Sequence, residues 1–493
     1  MQTKTSSDEM QSWLTDASNM QGGYAERVLL PTSAEEIAEV LAEATLTTTP
    51  VTVAGAGTGV TGGRIPFGGT VLALDRLNAI KAIEANTARV EAGVILNDLQ
   101  QAVSQRGLLY PPDPTEWSCQ LGGTVATNAS GARTFKYGTT RDYVTALQVV
   151  LATGKIIELR RGEFRFDAKG ELRLPLVSGK TLEVQLPAYR MPSTRKHAAG
   201  YYVAPEMDAL DLFIGSEGTL GVITEIEVRL LPQPENVLAG IVFFEEEKDL
   251  LALVGAARAR SLATRATNGA GMDARALEYF DRAALEFLRP HHPLVPESMA
   301  GAIFFEQEIT AAHEDELMSA WLELLEAHHA RLDDSWFATN DKDRQQLRAF
   351  RHHLPVLVNE WIARHGQRKV STDMALPDAT FAEMLAFYQS SLRAAHLAYV
   401  IFGHIGDNHL HVNMLPRNEA EAAQARALYT EFVKRAVAFG GTVSAEHGIG
   451  KIKRPYLEML YGEAALREMA KLKRTFDPAW ILGRGNLLPV PAA

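Results

Sequence analysis

Apolar positions along this chain recur with two periods, and the way those periods alternate divides it. The stretch Pro31-Thr-Ser-Ala-Glu-Glu36 reads as a helix start. Thr32 or Ser33 is the N-cap and Glu35 or Glu36 closes the capping box. Ile37, Val40, Leu41 and Ala44 then form one apolar face. Short apolar runs at 51–53, 71–74 and 89–92 read as strands, and Asn97 caps a helix that Gly107 ends. Strand–helix alternation with glycine turns between neighbouring strands predicts an α+β domain rather than a pure parallel sheet. Runs at 147–151 and 156–159 flank Ala-Thr-Gly-Lys155 as a hairpin. Residues 160–190 read as an added β excursion, with alternating Phe164/Phe166 and Leu172/Leu174, and 222–231 as a strand closed by Pro232-Gln-Pro234. That proline pair sets the first domain boundary. Beyond it, strands at 239–244, 302–306, 370–376 and 399–402 are separated by long helices such as 311–330 and 379–396. This pattern predicts an antiparallel sheet covered on one face. A strand at 441–445 and a helical stretch to Phe476 complete the chain. The division expected is 1–234, 235–440 and 441–493.

The first domain is organised around Val51-Thr-Val-Ala-Gly-Ala-Gly-Thr-Gly-Val-Thr-Gly-Gly-Arg64, with glycines at 55, 57, 59, 62 and 63. Backbone N–H groups unobstructed by Cβ atoms can form an anion nest, so a phosphate or diphosphate is the expected guest. The pattern G-x-G-x-x-G occurs at Gly57, Gly59 and Gly62, but a Rossmann loop must open a helix. Here Gly63-Arg-Ile-Pro-Phe-Gly-Gly69 cannot start one. A diphosphate loop between two strands remains, with a glycine-rich structural turn as the alternative. Residues 112–138 form a long aperiodic segment whose Gly122-Gly123-Thr124 and Asn128-Ala-Ser-Gly131 offer more donors. Residues 212–221 make a third glycine-rich turn.

Composition narrows the function class. With 46% hydrophobic and 22% charged residues, the chain is that of an ordinary globular protein. A net charge of -11 argues against nucleic acid or an anionic membrane as the main partner. One cysteine, Cys119, leaves no intrachain disulfide and fits a reducing compartment. The polar N-terminus carries no signal-peptide pattern, and no apolar run is long enough to cross a bilayer. The expected location is the cytoplasm, with peripheral membrane association as the alternative.

Candidate chemistry lies in two late segments. Gly403-His-Ile-Gly-Asp-Asn-His-Leu-His-Val-Asn413 holds three histidines, and Gly406-Asp407-Asn408 is a turn signal that lets His404 and His411 converge. His409 and His411 share a face of the following strand, so either can be the second ligand. Downstream, Ser444-Ala-Glu-His-Gly-Ile-Gly450 sets Glu446 beside His447. Two histidines and a carboxylate form a Zn²⁺ or Mn²⁺ set with open positions for substrate. Hydrogen-bonded structural histidines are the competing reading.

Five segments, 53–63, 122–138, 214–232, 403–413 and 446–450, occur in an order that resembles the vanillyl-alcohol oxidase/p-cresol methylhydroxylase (PCMH) flavoprotein family. Within it, the chain is most similar to the branch of D-lactate dehydrogenases, the glycolate oxidase FAD subunit and D-2-hydroxyglutarate dehydrogenase. The resemblance runs from Tyr24 to Pro489. It implies a two-subdomain PCMH-type FAD-binding domain over 1–234 and a substrate (cap) domain of the FAD-linked oxidase C-terminal type over 235–440. Residues 441–493 would then be a C-terminal segment completing the active site. FAD would sit with its diphosphate on Gly55, Gly57, Thr58, Gly59, Thr61, Gly62 and Gly63, and its isoalloxazine near Gly122, Gly123, Thr124, Asn128 and Gly131. Glu217, Gly218 and Ile223 would complete the cofactor contacts, Ile223 on the adenine side. The resemblance further implies metal ligation by His404, His411 and Glu446, with His447 as base and Asn413 touching substrate.

Two departures from the family pattern matter. Ser371 stands where the family commonly has a lysine two residues before Asp373, which moves the expected carboxylate anchor to Arg351, with Lys369 and Arg368 close by. The family's terminal Asn-Pro-Gly-Lys corresponds here to Gly483-Arg-Gly-Asn486. Arg64 follows the double glycine where covalent relatives often have histidine, so noncovalent FAD is expected, and Cys119 reads as a packed small residue. The reaction implied is oxidation of a D-2-hydroxy acid to the 2-oxo acid. His447 would take the hydroxyl proton while hydride passes to flavin N5. The implied acceptor is a quinone, an electron-transfer flavoprotein, a cytochrome or oxygen, and a homodimer is left open. The alternatives are flavin-adduct alkyl transfer resembling alkyl-dihydroxyacetone-phosphate synthase, or a flavin-binding subunit inactive without a partner.

Overall fold

The computed structural model describes residues 1–176 and 179–491. Its first sheet runs Gln2–Lys4, Arg27–Leu30, Thr70–Ala73, Val51–Ala54, and the last three strands are parallel. The helix Ala34–Thr47 covers it, burying Ile37, Val40, Leu41 and Ala44. Ser33 caps this helix by accepting the Glu36 N–H at 3.2 Å, while the Glu36 carboxylate accepts the Thr32 N–H at 2.7 Å. The glycine-rich loop leads from Val51–Ala54 into its parallel neighbour Thr70–Ala73 without forming a helix, as its composition requires. The chain's C-terminal part returns to this sheet, where Ile481 accepts the Val51 N–H at 2.8 Å.

A second, antiparallel sheet is ordered Ile80–Ile83, Thr87–Glu91, Val222–Arg229, Val144–Val150, Ile156–Arg160, with the expected hairpin at its edge. The helix after it spans Leu96–Ser104 with Ile95 at the N-cap, so Asn97 lies inside its first turn rather than capping it. The segment 112–138 contains two short helices, Leu121–Thr127 and Thr134–Tyr137. Their small residues hid them. Gly122 packs so closely on the neighbouring strand's end that a Cβ would stand 2.7 Å from Ala92. Asn128, at φ 50, ends the first helix. The β excursion is the hairpin Glu171–Pro175 with Thr181–Gln185, and Phe164 and Phe166 lie outside its strands.

The third sheet runs Trp336–Ala338, Asn236–Phe244, Gly301–Ile309, Ala274–Asp281, Tyr399–Gly403, His409–Met414, Val370–Ser371, antiparallel throughout. It is covered on both faces, not one. Leu238, Val242 and Phe244 belong to one core with Leu253 and Trp321, from the helices Glu247–Thr267 and Glu314–Ala327. Ala239, Ile241 and Phe243 belong to another with Leu285 and Phe350, from Arg282–Leu288 and Asp341–Arg364. The unbroken apolar run at 237–244 is the sequence trace of a doubly buried strand. Ala274–Asp281 is central yet unanticipated, because Arg275, Glu278 and Asp281 interrupt its apolar pattern. The stretch 370–376 is two two-residue strands, Val370–Ser371 and Met374–Ala375, and 441–445 is not a strand. The N–H groups of Thr442 and Ala445 instead bond to the carbonyls of Ala375 and Asp373. A helix Arg454–Phe476, broken at Gly462, follows.

Candidate active site

The glycine loop forms one wall of a cavity of about 480 Å³. Gly55, Gly57, Thr58, Gly59, Thr61 and Gly63 line it on this side, Gly122, Gly123 and Thr124 on a second, and Glu217, Gly218 and Ile223 on a third. Lys369, Glu446 and His447 also line it. At Gly59 and Gly123 no heavy atom lies within 4 Å of where a Cβ would stand, so side chains there would intrude on open space. The loop is held from behind by Arg64. Its Nε donates to the Thr15 carbonyl at 2.9 Å and its terminal nitrogens donate to the carbonyls of Ser12 and Gly55. Gly57, at φ 82, makes room, since a Cβ there would meet the guanidinium at 2.5 Å. Cys119 sits buried in the wall, and burial pushes its thiol up to about 12, which fits a packed residue rather than a nucleophile.

Three expected cofactor positions do not line this cavity. Gly62 turns beneath Met20, and Gly131 packs against the Asp113 backbone. The Asn128 side chain is consumed by accepting the Arg141 N–H (2.9 Å) and donating to the His197 carbonyl (3.2 Å). Glu217 lines the cavity but spends its carboxylate elsewhere, accepting the N–H groups of Ile449 (2.7 Å) and Gly450 (2.6 Å). Burial raises its pKa to about 7 against the opposing effect of those bonds. Lys451 donates to the carbonyls of Gly62 (3.3 Å) and Gly63 (3.1 Å) and to Asn486 Oδ1 (2.7 Å). These contacts fasten the segment bearing Glu446 and His447 to the glycine loop. Sequence spacing gave no sign of it.

Next to this cavity, His404, His409, His411 and Glu446 converge, their potential ligand atoms all within 4.8 Å of one another. His404 follows the strand Tyr399–Gly403, and the turn at 405–407 brings His409–Met414 back beside it. The Nε2 atoms of His404 and His411 lie 3.5 Å and 3.2 Å from the Glu446 carboxylate. Their Nδ1 atoms are occupied on the far side, by Glu278 Oε1 at 2.6 Å for His404 and by the Thr372 carbonyl at 3.1 Å for His411. Donation from Nδ1 leaves each Nε2 lone pair facing Glu446, the tautomer a divalent ion requires. His411 Nε2 is directed at Glu446 at 3.2 Å, whereas His409 Nδ1 lies 3.9 Å from it. A second candidate group, Asp373, His411, Glu446 and His447, overlaps the first. Asp373 is fully buried and already accepts Ser444 Oγ (2.6 Å), Lys453 Nζ (2.6 Å) and the N–H groups of Glu446 and His447 (3.2 and 3.1 Å). The first group is therefore the better cradle for a cation.

His447 stacks on His411, with ring centroids 5.4 Å apart, and its Nδ1 lies 3.4 Å from Asp373 Oδ2. Burial, only partly offset by Asp373, lowers its pKa to about 4, so the ring is neutral near pH 7. Lys196, fully buried and unmarked by any motif, donates to the Gly131 carbonyl (2.8 Å) and to Glu446 Oε2 (3.1 Å). Arg351, from the helix Asp341–Arg364, spends Nε and Nη2 on Glu278 (2.8 and 2.7 Å), the carboxylate that also holds His404. Burial alone would raise the Glu278 pKa, but Arg351 and His404 outweigh it and hold the group near 2. Arg351 is thus engaged within the protein, in a small recess shared with His352, His404 and His411. Lys369 faces the main cavity, where loss of water lowers its pKa, and among the described residues no carboxylate pairs with it. Asn413 is buried on the strand of His411 and donates to the His411 carbonyl at 3.1 Å.

Residues 25–160 match the model of an FAD binding domain, and residues 246–487 match that of the FAD linked oxidases, C-terminal domain. The glycolate oxidase subunit GlcD of Bacillus subtilis is 30% identical over 485 residues, covering 96% of this chain and 91% of its own. A D-lactate dehydrogenase of Anaerostipes hadrus is 32% identical over 481 residues, covering 92% and 88%. A D-2-hydroxyglutarate dehydrogenase of Xanthomonas citri pv. viticola is 30% identical over 477 residues, covering 93% and 88%. A solved alkyldihydroxyacetonephosphate synthase shares the fold, with a TM-score of 0.66 at 15% identity over 98% of this chain and 82% of its own. Among the described residues no helix is long and apolar enough to cross a membrane. With both FAD-related domain models matched in order and relatives aligned over nearly its whole length, the chain belongs to the FAD-linked oxidases as a flavin-dependent oxidoreductase of the PCMH-type family.

Proposed function

We propose that this protein oxidises a small 2-hydroxy acid, of the class named by its D-lactate, glycolate and D-2-hydroxyglutarate relatives, to the 2-oxo acid. The observation that carries the reading is positional. The imidazole–carboxylate group of His404, His411 and Glu446 adjoins the cavity lined by the glycine loop, and His447 stands between them. FAD, held noncovalently, supplies the two-electron acceptor, and a divalent ion such as Zn²⁺ or Mn²⁺ supplies a Lewis acid that makes the substrate hydroxyl more acidic.

The chain's own residues do the rest. His447, neutral, receives the hydroxyl proton on the nitrogen facing away from Asp373, whose Oδ2 accepts the His447 backbone N–H and lies 3.4 Å from Nδ1. Lys369, which faces the cavity and has no carboxylate partner among the described residues, is assigned as the anchor for the substrate carboxylate. Arg351 supports His404 through Glu278, and Asn413 borders the substrate beside His411. The proposed domain division is 1–234 for FAD, 235–440 for substrate and 441–493 for the segment that closes the site. Bound FAD would supply electrons for an acceptor such as a quinone, an electron-transfer flavoprotein or a cytochrome, in the cytoplasm or at the membrane surface. The test is a panel of D- and L-2-hydroxy acids added anaerobically to the yellow protein. Bleaching by one or more D-acids or by glycolate is expected. Failure of every acid in the panel would overturn the reading and favour a non-redox or partner-dependent flavoprotein.

A further inference from the structure

We infer that His409 is a third imidazole ligand, bound through Nδ1, so that the metal is held by three histidines and one carboxylate. This rests on the metal reading above and extends it. The side chain of His409 has no solvent exposure, and neither ring nitrogen has a hydrogen-bond partner among the described residues. A buried imidazole with two unsatisfied nitrogens is costly unless something occupies them. The ring's surroundings say what does. Its centroid lies 5.4 Å from that of His404 and 4.6 Å from that of His411, and those two are 5.6 Å apart, so the three rings form a triangle. Nδ1 lies 3.9 Å from Glu446 Oε2, on the side where the Nε2 atoms of His404 and His411 also point.

The opposite nitrogen, Nε2, lies 3.1 Å from Asp373 Oδ1, though off the direction of a hydrogen bond. A carboxylate there favours the tautomer protonated on Nε2 and leaves the Nδ1 lone pair for a cation, as outer partners of metal-bound histidines generally do. The two rings of the strand His409–Met414 turn different nitrogens toward Glu446, Nδ1 of His409 at 3.9 Å and Nε2 of His411 at 3.2 Å. His404 enters from the end of one strand, whereas His409 and His411 project two residues apart from the same strand. Asp373, packed behind His409 by Ser444 and Lys453, holds that orientation.

The ligand count has a chemical consequence. Four protein ligands close a tetrahedral Zn²⁺ ion, as in structural zinc sites. A substrate hydroxyl and carboxylate can join only an ion that accepts five or six ligands, which favours Mn²⁺ or a similar ion as the working metal.

The decisive experiment counts ligands in the unmodified FAD-loaded protein. After chelation and reloading with one equivalent of Mn²⁺ or Zn²⁺, X-ray absorption fine structure should report three imidazoles, and two in His409→Asn. Chelator competition should show that variant binding metal at least about tenfold more weakly, with its flavin content unchanged. Two imidazoles in the unmodified protein would overturn this inference while leaving the metal reading intact. Absence of stoichiometric metal in the unmodified protein would overturn both. The first count does not depend on whether His409→Asn folds.

Discussion

The glycine-walled cavity and the histidine cluster touch, yet they are built in opposite ways. Three glycine-rich segments contribute much of the cavity's wall, and at Gly59 and Gly123 the absence of a Cβ leaves open space. The cluster is entirely side chains, three from one turn and strand and one from the segment at Glu446, held by buried charges such as Asp373 and the more distant Glu278 and Lys196. A cavity of the first kind tolerates loss of any one side chain. A cluster of the second kind does not, because removing one charge leaves its partners buried and unpaired. The two regions should therefore be separable by mutation, and four experiments, in falling order of effect, can break or sharpen the contrast.

His404→Ala and Glu446→Ala should each lose stoichiometric metal and lower the rate of flavin reduction by roughly 10³-fold or more, while FAD content stays near one per chain. Elemental analysis and the visible spectrum on one sample decide it, and full metal occupancy in both variants would make the cluster a structural one. His447→Ala should retain both metal and flavin and slow reduction by roughly 10²- to 10⁴-fold, the range of a lost general base. Metal lost from that variant would move His447 into the ligand set. The converse perturbation is Gly59→Val, whose side chain would enter the open space of the cavity. Its FAD affinity should fall roughly tenfold or more through overpacking, with metal content unchanged. Retained FAD affinity, or metal lost together with flavin, would contradict the separation.

The smallest effect on chemistry concerns the contact between the flavin-binding part and the third sheet. Glu306 is buried against Arg275 (2.8 Å), Arg348 (3.1 Å) and Arg133 (3.8 Å), the last from the segment beside the glycine-walled cavity. Burial pushes its pKa up, but the three arginines more than offset this and hold it well below the ordinary carboxylate range. A depressed folded pKa gives stability that is complete above the unfolded value, about 4.3, and lost as pH falls below it. Melting curves of the unmodified protein and Glu306→Gln should differ most near pH 7. That gap, on the order of 3–5 kcal/mol for an uncompensated buried partner, should narrow below about pH 4. A gap that does not change with pH would mean that the charge of Glu306 is not what secures this contact.

The same contrast explains what could be read in the sequence. Glycine spacing dictates local backbone, so the loop at 55–63 and its strand-to-strand context were legible without a fold. The histidines were legible because His404, His409 and His411 lie within one turn and strand. Their outer partners were not. Glu278 lies in the strand Ala274–Asp281, whose buried charges disguised it, and it reaches His404 only through pairing of Tyr279 with Gly403 and Phe280 with Phe402. Lys196 carries no motif and is defined only by what surrounds it. Small residues masked the helix Leu121–Thr127, which reads as loop until Gly122 is seen packed on Ala92. Arg351 shares a recess with His404 and His411, but its engagement with Glu278 was not legible, because it depends on how the helix Asp341–Arg364 lies across the sheet.

The most direct measurement mixes the FAD-loaded protein anaerobically with a bleaching 2-hydroxy acid, before chelation, after it, and after Mn²⁺ is restored. Chelated protein should keep its full flavin spectrum, reduce at least about 10²-fold more slowly, and recover when the ion returns. A reduction rate untouched by complete removal of metal would contradict a metal-assisted site built on His404, His411 and Glu446.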